Sequence, residues 1–337
     1  MDKRKTIFSG MQPSGELTLG SYLGALKNWV SLSDEYDCFY CIVDQHAITV
    51  RQEPAQLRRR TLSQLAQYIA CGLSPEKTTL FIQSHVPAHA QLSWALNCYT
   101  MFGELSRMVQ FKDKSQKNAD NINAGLFTYP VLQAADILLY QAELVPVGED
   151  QRQHVELSRD IAGRFNSIYG DVFTIPEAYI PKLGARIMSL TAPENKMSKS
   201  DIDPGGCIYI MQDPAEIMRF FKRAVTDSDS SVHYDTENKK GISNLMQIYS
   251  VATGRTLDEI QLEFSGHGYG DFKAAVGEAV VEMLRPIREQ AEAMLKDKTY
   301  LESIYKMGAE KASYTAGRTL RKVYKKLGFV SLQVTGD

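Results

Sequence analysis

The 337-residue sequence lacks several features that would assign it at once to a class of protein. No apolar stretch approaches the roughly 20 residues that cross a bilayer, so nothing indicates a membrane protein. The basic start MDKRKTIF is not followed by an apolar segment or a cleavage site, and so we see no secretory signal. We therefore expect a cytoplasmic protein with no membrane partner.

Cysteine is also scarce. The five cysteines are an odd number spread over segments predicted to be buried, which favours reduced thiols over a disulfide framework. Cys38 and Cys41 have C-x-x-C spacing but lie in a strand-like run, where positions three apart point to opposite faces. His85 and His89 are separated by Pro87, which breaks the helix that a metal-binding pair would need. We predict no metal site formed by the protein itself.

A strong charge of one sign is missing too. The net charge is −2, so no overall basic field marks a nucleic-acid-binding protein. Local clusters of basic residues exist, and each can be either a solvated helix face or an RNA contact. The clusters are Arg58 to Arg60, Lys112 with Lys114 and Lys117, and Arg318 with Arg321, Lys322, Lys325 and Lys326.

The first half of the chain alternates strand and helix patterns. The strand-like runs are KTIFSG, DCFYCIVDQHAIT, TTLFIQSHV, AELVPVG and ARIMSL. Such alternation predicts an α/β fold with a doubly wound, parallel, Rossmann-type sheet over residues 1–200, interrupted by a polar inserted segment at about 101–128. The later pattern is almost purely helical and predicts an all-helical C-terminal domain over 201–337, whose last helix packs back on the first domain.

The first predicted strand runs into QPSGELTLGSYLGAL, residues 12–26, a turn punctuated by glycines that leads into a helix. A strand, a glycine-rich turn and a helix N-terminus place backbone N–H groups around an anion. The spacing matches neither G-x-G-x-x-G nor G-x-x-x-x-G-K-[ST]. The alternative to an anion-binding turn is therefore a tight loop in which the glycines serve only packing.

A second candidate anion-binding stretch is KMSKS, Lys196 to Ser200. Two lysines three apart can place two ammonium charges on one polyphosphate as charge develops during a reaction. Taken alone, the same stretch can equally be a solvated basic loop.

One stripe of polar side chains stands out in the apolar segment YPVLQAADILLY. Tyr129, Gln133, Asp136 and Tyr140 recur there at helical spacing. Either the stripe is the wet face of a short helix or it lines a cleft. In a cleft the carboxylate needs a donor, because a buried unpaired charge is costly, and an indole N–H is such a donor.

These stretches occur together with IVDQHAITV, GELSRM, VPVGEDQ, GARIMSL and AVTDSD. Their order and spacing resemble those of bacterial tryptophanyl-tRNA synthetases, which are class I aminoacyl-tRNA synthetases. The resemblance extends from about Thr6 to Phe329. It departs from the family at Ser21, usually Asn, and at Gln133, usually Met, and the first class signature here has neither of its histidines.

The resemblance implies activation of L-tryptophan by ATP, followed by transfer to tRNA(Trp), in a homodimer that uses Mg²⁺ with ATP. The implied catalytic residues are Lys196 and Lys199, with Lys114 as a weaker candidate. The implied ATP-binding residues are Gln12, Pro13, Ser14, Thr18, Gly20, Ser21, Gly148, Glu149, Asp150, Ile187, Lys196, Met197, Ser198, Lys199 and Ser200. The implied tryptophan-binding residues are Gln12, His46, Tyr129, Gln133, Asp136 and Gln151.

Other functions remain open at the level of sequence. A tyrosyl-tRNA synthetase has the same architecture, and an adenylate-binding regulatory protein that had lost activity would keep the fold. A nucleotidylyltransferase that does not use tRNA would lack the helical last third of the chain. Glu149 and Asp150 can also be acidic residues that simply favour a helix N-terminus.

Overall fold

The computed structural model describes residues 4–111, 121–180, 186–198 and 203–330, the side chain of Asp150 excepted. Its centre is a five-stranded sheet in which every neighbouring pair is parallel, with strand order β3-β2-β1-β4-β5. The strands are β1 (Thr6–Met11), β2 (Asp37–Ile42), β3 (Thr79–Ile82), β4 (Leu144–Pro146) and β5 (Glu177–Tyr179). The predicted α/β class with a parallel sheet is confirmed.

Helices connect the strands and make up most of the chain after residue 213. They are α1 (Leu19–Ser21), α2 (Lys27–Leu32), α3 (Asp44–Ala47), α4 (Pro54–Ala70), α5 (Ala88–Asn97), α6 (Phe102–Ser106), α7 (Ala124–Leu139), α8 (Arg152–Tyr169), α9 (Pro214–Arg223), α10 (Lys240–Thr253), α11 (Leu257–Glu263), α12 (Tyr269–Lys296) and α13 (Lys298–Leu327). A π-helical turn, Tyr22–Leu26, joins α1 to α2. Within the described ranges, no helix is both long enough and apolar enough to cross a membrane.

The sheet is buried on both faces, which is why its strands are nearly continuous apolar runs. On one face Trp29 stacks on Tyr40 with ring centroids 4.6 Å apart, and the Tyr40 hydroxyl donates to the Trp29 carbonyl. On the other face Phe39 and Phe81 pack against Tyr140 of the turn after α7. These two layers hold the strands, and so they fix the positions of the residues that follow each strand.

The fifth strand differs from the prediction. It is the three-residue run Glu177–Tyr179, which pairs with β4. The described residues of the predicted strand ARIMSL, 186–190, form one isolated bridge, between Met188 and Lys196. A three-residue strand between prolines is too short to give a period, and ARIMSL is apolar because Ile187 and Leu190 are buried against the core.

The last helix lies across the sheet. Gly308 of α13 packs so closely on β3 that a Cβ atom there would lie 1.8 Å from the carbonyl oxygen of Leu80. The helix α12 packs along α4, beside the sheet. The domain boundary predicted near residue 200 lies outside the described residues, as does most of the polar part of the inserted segment.

Candidate active site

The strand order reverses between β1 and β4, and ligands of such sheets bind beyond the carboxyl ends of the strands at that point. The turn after β1 is held there by its own side chains. Thr18 caps α1: its Oγ1 accepts from the Ser21 N–H at 3.0 Å, and the two hydroxyl oxygens are also 3.0 Å apart. A helix N-terminus therefore opens beside the strand ends, in a position suited to an anion.

The described start of the KMSKS stretch lies against this turn. The Met197 N–H donates to the carbonyl of Ile187, and Met188 is bridged to Lys196. A Cβ atom at Gly20 would be 3.7 Å from both the Cβ and the carbonyl oxygen of Met197. The structure thus brings the two candidate anion-binding stretches into contact. Lys199 and Ser200 lie outside the described residues, as does Lys114.

A third segment follows β4. Gly148 precedes a single 3₁₀ turn, Glu149–Gln151, which leads directly into α8. Glu149 is exposed and pairs only loosely with Arg152, at 3.5 Å. Its carboxylate therefore remains accessible at the same edge of the sheet as the turn after β1.

The predicted polar stripe of α7 lines a buried site. Asp136 is 1% exposed, so the alternative of a wet helix face is wrong for this residue. Its Oδ2 lies 2.7 Å from Nε2 of His46, and its Oδ1 lies 2.6 Å from Nδ1 of His89 and 2.7 Å from Nε2 of Gln83. The three partners come from the segments that follow β2 and β3, and so the fold itself assembles the site.

Asp136 is ionised in this setting. Burial pushes the pKa of its carboxyl upward, but the charges and hydrogen bonds of His46 and His89 outweigh burial and hold the pKa below its ordinary value. An ionised carboxylate only accepts hydrogen bonds, so both imidazoles must donate to it. The Gln83 amide is oriented to do the same, because its Oε1 accepts from the Gln45 N–H.

Of the other predicted pocket residues, Tyr129 is connected to this carboxylate through the His46 ring. The Tyr129 hydroxyl lies 2.9 Å from Nε2 of His154, and its ring meets the His46 ring edge-on. Burial raises the pKa of Tyr129, which therefore keeps its proton. Gln133 is half-buried one turn before Asp136, while Gln12 and Gln151 are half-buried at the ends of β1 and of the 3₁₀ turn.

Sequence reasoning missed Gln83 and His89. Gln83 directly follows β3, so its place at the carboxyl edge of the sheet was a usable signal. His89 was considered only as half of a metal pair with His85. Within the described residues, no group of three or more His, Cys, Asp or Glu side chains could hold a metal ion.

The fold and site together define an α/β protein with a glycine-rich turn at the strand ends beside a buried carboxylate held by two histidines and a glutamine. A family model described as tRNA synthetases class I (W and Y) matches residues 1–285. The chain is 59% identical over 329 residues to the tryptophan–tRNA ligase of Clostridium tetani (strain Massachusetts / E88), a match that covers 98% of this chain and 97% of that one. The protein therefore belongs to the class I tRNA synthetases of the tryptophan and tyrosine group.

Comparison with solved structures supports the same family. The fold is similar to that of tryptophanyl-tRNA synthetase from Mycoplasma pneumoniae, with a TM-score of 0.89 at 32% identity over 98% of this chain and 100% of that one. It is also similar to the Campylobacter jejuni tryptophanyl-tRNA synthetase complexed with ADP and tryptophane, with a TM-score of 0.85 at 34% identity over 96% and 100% of the two chains.

Proposed function

We propose that this enzyme activates L-tryptophan with ATP to tryptophanyl-adenylate and transfers the tryptophanyl group to tRNA(Trp). The observation that carries the choice of amino acid is the Asp136 carboxylate at the strand ends, buried and ionised. The similarity to proteins named tryptophan–tRNA ligase, at 59% identity over nearly the whole chain, supports the same choice.

Counting hydrogen bonds shows why an indole suits this pocket. A carboxylate offers about four acceptor positions, two on each oxygen. Oδ1 of Asp136 already accepts from His89 and Gln83, whereas Oδ2 accepts from His46 alone among the described residues. One acceptor position is left on Oδ2, and a substrate N–H can fill it. An aromatic side chain without a donor would cover the carboxylate and leave that position unpaired.

ATP is proposed to lie along the neighbouring edge of the sheet. The turn after β1 would hold the phosphates with Gln12, Pro13, Ser14, Thr18, Gly20 and Ser21. Gly148, Glu149 and Asp150 would contact the ribose and adenine, together with the backbone of Ile187. The KMSKS stretch, Lys196, Met197, Ser198, Lys199 and Ser200, would close over the polyphosphate. The contact between Met197 and Gly20 supports this arrangement.

Adenylate formation requires no general base on the protein. The tryptophan carboxylate is ionised at neutral pH, so an oxygen of it attacks the α-phosphorus of ATP while the bond to the β-phosphate breaks and pyrophosphate leaves. The protein must position the two substrates and offset the charge that grows on pyrophosphate. Lys196 and Lys199 are proposed for that task, with Lys114 as a weaker candidate. Lys196 is exposed and has no ion pair among the described residues, and so its ammonium is available.

Mg²⁺ is proposed to enter on the polyphosphate of ATP as part of the substrate. The described part of the chain offers no cluster of carboxylates and imidazoles for it, and Mg²⁺ in such sites is commonly held by substrate phosphates with few protein ligands.

In the second step the 2′-hydroxyl of the terminal ribose of the tRNA takes the tryptophanyl group and AMP leaves. The helical part, residues 201–337, would face the anticodon side, in a cytoplasmic enzyme.

A homodimer is part of the proposal. Trp94 on α5 and Phe102 on α6 are 72% and 76% exposed, although both helices pack on the same helix, α7. Met101 and Val109 are exposed in the same region. Large apolar side chains exposed over one stretch of the chain favour an interface there.

Sedimentation of the wild type and of Phe102→Glu tests this surface. We expect a dimer for the wild type and a monomer for the variant. Leu262→Glu is the matched control, because Leu262 is 79% exposed on α11 and should leave the dimer intact. A wild-type monomer, or a dimer in Phe102→Glu, would contradict the assignment.

The function itself is tested by amino-acid-dependent ATP–pyrophosphate exchange with tryptophan, tyrosine and phenylalanine. We expect exchange with tryptophan and far slower exchange with the other two. Preference for tyrosine would identify a tyrosyl-tRNA synthetase, and no exchange with any of them would indicate a regulatory adenylate-binding protein.

A further inference from the structure

The strongest unassigned feature of the molecule is a chain of three buried groups that ends on the pocket carboxylate. His89 and Tyr140 are 0% and 2% exposed. Nδ1 of His89 lies 2.6 Å from Oδ1 of Asp136, and its Nε2 lies 2.8 Å from the hydroxyl of Tyr140. Burial raises the pKa of Tyr140, so its hydroxyl keeps the proton that it can donate.

The direction of the hydrogen bond between His89 and the carboxylate follows from the chemistry. The ionised carboxylate requires a donor, so Nδ1 of His89 carries a proton. The other ring nitrogen, Nε2, is hydrogen-bonded to the Tyr140 hydroxyl. Both ring nitrogens of His89 are thereby paired, one with the carboxylate and one with the tyrosine, and this fixes the plane of the imidazole.

This chain fixes the orientation of the Asp136 carboxylate. Rotation about its last bond would exchange the two oxygens, but Oδ1 is held by two donors, His89 and Gln83, that belong to a helix and to a turn after a strand. The acceptor position left on Oδ2 therefore keeps one direction. Hydrogen bonds weaken steeply when the donor and acceptor are misaligned, so a fixed direction favours one substrate geometry.

We propose that His89, itself held by Tyr140, is a positioning residue that sets the selectivity of this enzyme for an amino acid whose ring carries an N–H donor. The proposal rests on the function proposed above. His89 does not contact the substrate; it acts through Asp136.

A merely structural histidine would behave differently. Its loss would lower the stability of the protein and the use of every aromatic substrate alike. A positioning residue changes the ratio between a substrate that donates to Asp136 and one of the same shape that does not. β-(Benzothiophen-3-yl)alanine is such a probe, because sulfur replaces the indole N–H.

The test compares kcat/KM for adenylate formation with tryptophan and with this analogue. In His89→Leu we expect the preference for tryptophan to fall about tenfold or more, the worth of one hydrogen bond to a charged group, while the analogue changes by less than about threefold. His89→Asn should recover most of the preference, since its amide N–H can replace Nδ1. An equal loss for both substrates would overturn the proposal.

Tyr140→Phe keeps the test valid if His89→Leu does not fold. The phenyl ring preserves the stacking of Tyr140 on Phe8 and Phe39, at 5.4 and 4.7 Å, and only the hydroxyl is lost. We expect the tryptophan preference to fall about threefold, the lower end for one hydrogen bond, and an unchanged ratio would overturn the proposal. Wild-type enzyme with no preference for tryptophan among the aromatic amino acids would contradict the proposed function instead.

Discussion

The two halves of the candidate active site lie at the same edge of one sheet, yet they are built differently. On the amino-acid side, Asp136, His46 and Tyr129 are buried and already paired with protein groups. On the nucleotide side, Ser14 and Lys196 are exposed. In the proposed function, the amino-acid side is therefore formed before substrate arrives, whereas the nucleotide side is completed by ATP.

The physical reason lies in the cost of burial. A carboxylate inside a core must be paired at all times, because an unpaired buried charge is strongly destabilising. A lysine at the surface stays solvated until a polyphosphate reaches it, and so it can remain on a loop without partners. In this proposal the buried carboxylate of Asp136 determines which amino acid binds. The exposed ammonium of Lys196 assists the reaction once ATP is bound. Four predictions test this difference between the two sides.

Asp136→Ala should have the largest effect. Removing the carboxylate removes both the indole bond and the penalty that excludes phenylalanine, so the preference for tryptophan should fall from roughly 10⁴-fold to the roughly 10–200-fold that packing alone supplies. The ratio of kcat/KM values for the two amino acids measures this. Gln133→Met changes another proposed pocket residue but keeps the carboxylate, and so it should keep the native preference. If Asp136→Ala keeps the native ratio of kcat/KM for tryptophan over phenylalanine, another residue recognises the indole ring.

Lys196→Ala should slow adenylate formation by roughly 2–4 kcal/mol while tryptophan binding stays nearly unchanged, because the lysine meets charge that develops on the leaving pyrophosphate. Lys199→Ala should behave in the same way. Single-turnover measurement of the adenylate separates chemistry from binding. If the rate of adenylate formation decreases by less than about threefold, under 1 kcal/mol, the lysine does not have the proposed role.

Gly308→Ala should destabilise the amino-acid side through its scaffold. The added Cβ would overlap the carbonyl of Leu80 on β3, the strand that leads to Gln83, and such overpacking costs about 1–3 kcal/mol of unfolding free energy. Chemical denaturation measures it. Gly317→Ala is the matched control on the same helix, because its Cβ meets only the end of Arg321 at 3.4 Å. Equal stability of Gly308→Ala and wild type would mean that α13 does not pack on β3 in this way.

The smallest effect is expected from neutralising Arg318, Arg321 and Lys322 together. Lys322 already donates to the carbonyl of Asp171 at 2.7 Å, and Arg318 lies over the ring of Tyr314. We therefore expect the affinity for tRNA to keep its dependence on salt concentration, since that slope reports phosphate contacts. A clearly flatter slope would show that this face of α13 contacts tRNA.

Those parts of the candidate site that lie in one stretch of chain carry a signal in the sequence. The turn with Gly20, the KMSKS loop and Asp136 each carry a local pattern, and the alternation of elements predicted the parallel sheet. Gln83 and His89 carry no such pattern, because they meet Asp136 only after β3 pairs with β2 and α5 packs on α7. The short β5 was missed for a related reason. Three residues are too few to show the alternation of a strand, and β5 is a strand because it pairs with β4.

In the proposed function, selectivity is complete before ATP binds. Isothermal titration of the nucleotide-free enzyme with tryptophan and with phenylalanine tests it directly. We expect tryptophan to bind at least about 100-fold more tightly than phenylalanine without ATP, because a site built to pair a substrate donor rejects a ring that lacks it. Similar affinities for the two amino acids in the absence of ATP, with a preference that develops only when ATP is added, would contradict the claim.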